Sequence, residues 1–241
     1  MRLRLPIPLH GWRALVGEIG IIVIGVLVAL AAQQFAEGLK EDGLRRQTRE
    51  AARAELKGAL DQFVNRRAIQ GCIDRRMNEI AGLLEASSRP GYKSPAWIGR
   101  PQYWSFNASA WNAATASGHA ALLTFNEQNQ LGGLYERLRE VAQFQRDEQQ
   151  AWADIRQLEN LDIVEPQTRS SVRSALAQAR LIDWNIRVDL EVTIARARKL
   201  GVVMKAEQRS ASPSICLPTT TPRAQAVRRV NAYFNDALGE P

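Results

Sequence analysis

The sequence predicts an all-α protein in which an N-terminal transmembrane helix continues into a long helix of an extracytoplasmic helical bundle. Three observations carry this reading. Ala14 to Phe35, ALVGEIGIIVIGVLVALAAQQF, holds one formal charge, Glu18. Three later stretches repeat apolar residues at the three- and four-residue intervals of an amphipathic helix. No stretch alternates apolar and polar residues as a half-buried strand would.

Composition narrows the class further. The chain has 241 residues, 45% hydrophobic and 24% charged, with a mean hydropathy of -0.28. That balance excludes a disordered chain, a collagen-like or disulfide-scaffold chain and a multi-span transporter, and fits one or two folded domains. With only two His and two Cys, the chain is poor in the side chains on which metal sites and near-neutral acid–base chemistry draw. No HExxH, CxxC pair, GxSxG or Gly-rich phosphate loop occurs, so no metal ligands, cofactor or catalytic residues are expected.

The apolar run comes first. Its 22 residues reach roughly 33 Å as a helix, enough for a hydrocarbon core of about 30 Å. In lipid the backbone can satisfy its hydrogen bonds only by coiling, whatever the modest helix propensity of Val and Ile. Arg2, Arg4 and Arg13 precede the run without an acid, while Glu37, Lys40, Glu41 and Asp42 follow it. The positive side stays in the cytoplasm. Residues 1–13 are thus expected as a cytoplasmic basic tail, 14–36 as the span through the lipid bilayer, and 37–241 as a periplasmic helical domain of an inner-membrane protein. Trp12 suits the inner interface. The rival reading is a cleaved signal peptide, with Ile19 to Ala32 as its apolar core and Ala29-Leu30-Ala31 as its cleavage site. Either way the bulk is exported. Glu18 stands about 6 Å beyond Ala14, within reach of the headgroups or Arg13, so snorkelling or pairing is preferred to a proton relay. Gly25, Ala29, Ala32 and Ala36 share a face on which two such helices could approach.

From Lys40 to about Ser87 there is no Pro, and Leu56, Leu60, Phe63, Ile73, Met77, Ile80 and Leu84 recur with helical spacing. One long helix is expected, nearly continuous with the anchor and bent, if at all, between Glu37 and Gly43. Its start is charged through Arg45, Arg46, Arg49, Arg53, Glu50 and Glu55, which reads as a solvated face. Residues 88–107 carry Pro90, Gly91, Pro95, Gly99 and Pro101 and read as a structured loop. Trp97, Tyr103, Trp104 and Phe106 crowd into it beside Lys93 and Arg100. With Trp111 they are the candidate ligand-binding aromatics, set against the more common reading that they pack down and cap the bundle.

A helix from Ser109 to Ser117 should end at Gly118, which supplies a left-handed cap. Thr124 and Glu127 have capping-box spacing and open a helix through Leu131, Leu134, Leu138, Val141, Gln145, Trp152 and Ile155. His119, on the corner between them, is expected as a hydrogen-bonded structural residue. Pro166 suits the first turn of another long helix with two apolar stripes. Val172, Leu176, Ala179, Ile182, Ile186, Leu190, Ile194 and Ala197 form one; Leu181, Trp184, Val188 and Val192 form the second. Two stripes predict a central helix with more than one neighbour. After a Ser-, Pro- and Thr-rich stretch from Ser210, Thr221-Pro222 should start a last helix to about Leu238.

Two stretches together resemble a known group. Gly17 to Glu37, GEIGIIVIGVLVALAAQQFAE, is similar to the N-terminal segment of an uncharacterised, domain-of-unknown-function family of bacterial single-pass membrane-anchored proteins, although the Asn-Trp pair at the end of that family's anchor is missing. Trp111 to Leu138 is similar to the same family's Ser-Gly corner and Leu-rich helix, with Ser117, Gly118, Leu131 and Tyr135 matching. The resemblance implies an anchored helical protein and no particular activity.

Charge and cysteines complete the reading. The formal net charge is +7. Its excess falls late, at Arg196, Arg198, Lys199, Lys205, Arg209, Arg223, Arg228 and Arg229 against Glu191 and Glu207. Export argues against nucleic acid and leaves anionic lipid or cell-wall polymer as takers, with a soluble Arg-rich face preferred. In an oxidising compartment Cys72 and Cys216 are expected to pair, the alternative being two separate buried thiols. The expected function is a non-enzymatic module that binds an envelope protein or ligand, or assembles with its own copies. The competing one is an envelope hydrolase or transferase using Glu127 and Glu136 beside the aromatic loop.

Overall fold

A computed structural model describes residues 12–204 and 214–238, with the side chains of 13, 14 and 232–238 excepted. Residues 1–11 of the expected basic tail and the late charged residues Lys205, Glu207 and Arg209 lie outside the described residues. Every regular element described is helical: α1 Trp12–Ala68, α2 Gln70–Ala86, α3 Ser109–Ala116, α4 Phe125–Ile155, α5 Pro166–Lys199 and α6 Arg223–Leu238, with short 3-10 turns at His119–Leu122, Arg156–Leu158 and Ser214–Cys216.

α1 runs for 57 residues without interruption, passing through Glu37–Gly43 as regular helix. Its most apolar window has a mean hydropathy of 2.6 and no buried residue, which makes it the one helix among the described residues long and apolar enough to cross a membrane. From Thr48 onward α1 turns a face inward, through Ala52, Leu56, Leu60 and Phe63. One helix thus serves two environments: Val, Ile and Leu on all sides at one end, an amphipathic pattern at the other.

The expected single helix from Lys40 to Ser87 is interrupted at Ile69. There the backbone leaves the helix at φ -97°, ψ 2°, and the Ile69 amide bonds to the Arg66 carbonyl at 3.2 Å in a tighter, three-residue turn. No Pro marks the break. It falls between Arg66 and Gln70, whose side chains converge on the same carboxylate, Asp183, at 2.8 and 2.9 Å.

Cross-helix pairs fix the topology. Arg49 meets Glu127, Glu55 meets Tyr135 and Arg66 meets Glu148, so α4 runs alongside α1 in the same direction. α5 returns antiparallel, Arg67 facing Glu191 and Arg137 facing Asp189. The core divides into two large apolar clusters, with a small third one of Trp97, Leu217 and Ala226. The first joins Leu56, Leu60 and Phe63 of α1 to Leu134, Leu138 and Val141 of α4 and Ile186, Leu190 and Ile194 of α5. The second joins Ile73, Ile80 and Leu84 of α2 to Trp152 and Ile155 of α4 and to Val172, Leu176 and Ala179 of α5.

α5 packs on α4, α2 and α1, as two stripes suggested, but only one stripe does the packing. Leu181, Trp184 and Val188 are exposed, so the second stripe does not make α5 central. Among the described residues the bundle supplies neighbours for the Ile182/Ile186/Leu190 side and none for the opposite side.

Candidate functional site

The expected binding aromatics do not converge. Trp97 is buried with Leu217 and Ala226, its indole N–H donates to the Ser214 carbonyl at 2.9 Å, and the Arg156 guanidinium lies over its ring at 5.6 Å. Trp104 packs on the α2–α4–α5 cluster, and its backbone N–H donates to Oε1 of the buried Gln145 at 3.0 Å. Tyr103 is exposed. Trp111 lies in the other cluster, stacked on Tyr135 with ring centroids 5.3 Å apart and planes 10° apart.

Buried polar groups stitch this loop down. Arg76, on α2, donates from Nη1 to the Ile98 carbonyl and from Nη2 to the Leu217 carbonyl, and pairs with Glu79 at 2.8 Å. Burial pulls its guanidinium below the ordinary value, against the opposing pull of Glu79. Glu159 accepts from the Ile98 amide at 2.9 Å, and the Ala96 and Trp97 amides both donate to the Thr219 carbonyl. Gly99 takes φ +72°, and a Cβ there would meet the Ser214 carbonyl oxygen at 2.6 Å. Cys72 and Cys216 stand at disulfide distance, Cα to Cα 5.0 Å, so the segment before α6 is tied to α2 as expected.

The family-like corner is regular. Ser117 caps α3, Gly118 takes φ 78°, and the Thr124–Glu127 capping box is formed in both directions. The His119 ring makes no hydrogen bond among the described residues, contrary to the expected role; the half-buried residue simply opens the 3-10 turn. Tyr135 is fully buried and donates its hydroxyl to Glu55 at 2.7 Å; burial first, and Glu55 second, raise the phenol. Glu55 also accepts the Ala110 amide at 2.9 Å, capping the start of α3 from a neighbouring helix. Glu127 is engaged by Arg49 at 2.7 Å and Glu136 by Arg139 on its own helix, so each carboxylate has a local partner.

No protein-family model, no curated protein and no solved structure matches this chain.

The most unusual chemistry lies between the two apolar clusters. Arg66 donates from both terminal nitrogens to Glu148, each at 2.6 Å, and from Nη2 to Asp183 at 2.8 Å. None of the three side chains is more than 1% exposed. Gln70 and the half-exposed Arg187, 3.2 Å from Asp183, close the network. Burial pushes Glu148 above the ordinary carboxylate range, with Arg66 opposing it. For Arg66 burial acts downward, but the two carboxylates prevail and raise it. Sequence spacing held a signal: Arg66 comes three residues after Phe63, Glu148 four before Trp152, and Asp183 three before Ile186. Each is a charge on a core face.

Among the described residues, open clefts flank the helices. One of about 130 Å³ lies between α1 and α5 beside Arg66, Arg67 and Arg187. One of about 270 Å³ lies between α4 and α5 at Gly133 and Arg196. The third, about 230 Å³, lies between α2 and α5 at Leu84, Arg173 and Arg180. None is lined by an aromatic loop residue. Among the described residues no group of three or more His, Cys, Asp or Glu side chains is placed to hold a metal ion.

Proposed function

We propose that the chain is a membrane-anchored helical module of the cell envelope that binds or assembles with another envelope component and carries no catalytic activity. Residues 1–13 are its cytoplasmic tail, 14–36 its single span of the bacterial inner membrane and 37–241 its periplasmic domain, as in the uncharacterised family that residues 17–37 and 111–138 resemble. One observation carries the reading. α1 changes from an uncovered apolar rod to a core helix without a break, so whatever holds its first third would hold the bundle rigidly. The Cys72–Cys216 pair supports export, because such pairs persist in oxidising compartments. The aromatic loop's hydrogen bonds support packing over ligand capture.

A topology experiment tests this. Fused after Leu84, a reporter active only in the periplasm should work and a cytoplasmic one should fail. The reverse pattern would sink the proposed orientation and localisation together.

A further inference from the structure

We infer that the exposed stripe of α5 is the contact between two copies of this chain standing side by side in one bilayer, which rests on the proposed anchoring. Leu181 is 61% exposed, Trp184 57% and Val188 43%. With the exposed Ala177 they step by four, three and four residues, the spacing of a coiled-coil seam. The seam points away from Ile182, Ile186 and Leu190, so the bundle's own core does not use it.

The stripe is too far out to meet lipid. Glu191, just past Val188, pairs with Arg67, which stands 31 residues, roughly 45 Å, along the α1 axis beyond Ala36. A protein surface is the fitting occupant. Its orientation follows from the flanks: Arg173, Arg180 and Arg187 recur every seven residues on one side of the seam, Gln178, Asn185 and the half-buried Val192 on the other. In a parallel pair each flank faces the opposite flank of its partner, five residues on, so Arg173 meets Gln178 and Arg180 meets Asn185. Arg180 Nη2 also donates to Asn78 of its own chain at 3.2 Å, and Arg187, held by Asp183 and Asp74, faces the half-buried Val192. In an antiparallel pair arginine would face arginine. Copies anchored through the same N-terminal helix in one bilayer are parallel. At its far end the seam closes with Glu191, where two like charges would meet.

The apolar patch is small, roughly 300 Å² from these three side chains, against about 800 Å² per partner for a free-standing complex. Association therefore depends on the shared membrane, which supplies orientation and local concentration.

The test uses the full-length protein in native membranes. Leu181→Cys and Val188→Cys, each alone, should form dimers of twice the chain mass on mild oxidation, because in a parallel pair seam positions meet themselves. Gln143→Cys, on α4, is the control. Adding Trp184→Glu to Leu181→Cys should cut the crosslink by about tenfold or more while leaving the melting curve of this exposed site unchanged. Seam variants that crosslink no better than the control, or that trap only a protein of another mass, overturn the proposal. Carbonate extraction of the same membranes reads the anchor separately: protein released by carbonate refutes the anchoring, whereas embedded protein without self-crosslinks refutes the dimer alone.

Discussion

The guanidinium of Arg66 meets the carboxylate of Glu148 through two parallel hydrogen bonds of 2.6 Å, at a depth where neither side chain reaches solvent. A second carboxylate, Asp183, shares the same guanidinium, so one buried positive charge serves two negative ones. Arg66→Met would leave Glu148 buried without a cation and Asp183 with only Gln70 and the half-exposed Arg187, and should cost about 3–5 kcal/mol. Replacing all three together, with Arg66→Met, Glu148→Leu and Asp183→Leu, should recover most of that loss, because apolar side chains of similar size need no partner. Denaturant melts of the single and triple variants check this; a triple variant no more stable than Arg66→Met would refute it.

The Glu127 carboxylate ties α4 to α1. Arg49 first, and the capping contacts with Thr124 second, hold it below its ordinary 4.5. An acid whose folded pKa is depressed contributes its full stability above the unfolded value and loses it as pH falls through the folded one. Glu127→Gln should therefore lower stability by about 1 kcal/mol at pH 7. The gap from the parent should shrink below about pH 4.5. Thermal melts from pH 3 to 7 measure it, and a gap independent of pH would contradict the assignment.

Cys72 and Cys216 close a span of 144 residues. Reduction should lower stability by up to about 5 kcal/mol in the chain-entropy account. The parent should run faster on non-reducing gels than after reduction. Cys72→Ala/Cys216→Ala should melt like the reduced parent and be indifferent to reductant. Full thiol labelling of the unreduced, denatured protein would rule the bond out.

At Gly99 the backbone is left-handed, and a side chain would collide with the Ser214 carbonyl. Gly99→Ala should cost at least about 2 kcal/mol, from the conformational penalty and the clash together. Because the same carbonyl accepts the Trp97 indole, the variant should also red-shift tryptophan emission. Unchanged stability and emission would show that the loop tolerates a shift there.

The features legible in the sequence were those set by neighbours along the chain. Thr124 with Glu127, Gly118 and Pro166 mark helix ends because caps and first turns involve only three or four successive residues. The aromatic cluster was legible as a cluster but not as a site. Trp97 and Trp111 stand 14 residues apart in sequence yet join different apolar clusters, and their partners, Ser214 and Tyr135, come from distant segments. The break at Ile69 had no marker in the sequence; it lies between Arg66 and Gln70, whose shared partner, Asp183, is 117 and 113 residues away.

The sequence by itself determined that the chain is helical and that an apolar rod is joined to an amphipathic one. Periodicity and composition carry those properties, and each acts locally along the chain. That two lone cysteines pair was an expectation with an alternative, which the geometry decided. Only the tertiary structure decided which apolar stripe of α5 is covered and which charges lie in the core. A stripe looks the same in sequence whether or not a helix lies against it, and a charge on a core face is tolerable only when its partners arrive from other helices. Leu181 and Ile182 are adjacent and both apolar; among the described residues α4, α2 and α1 cover one side of α5 and leave the other open.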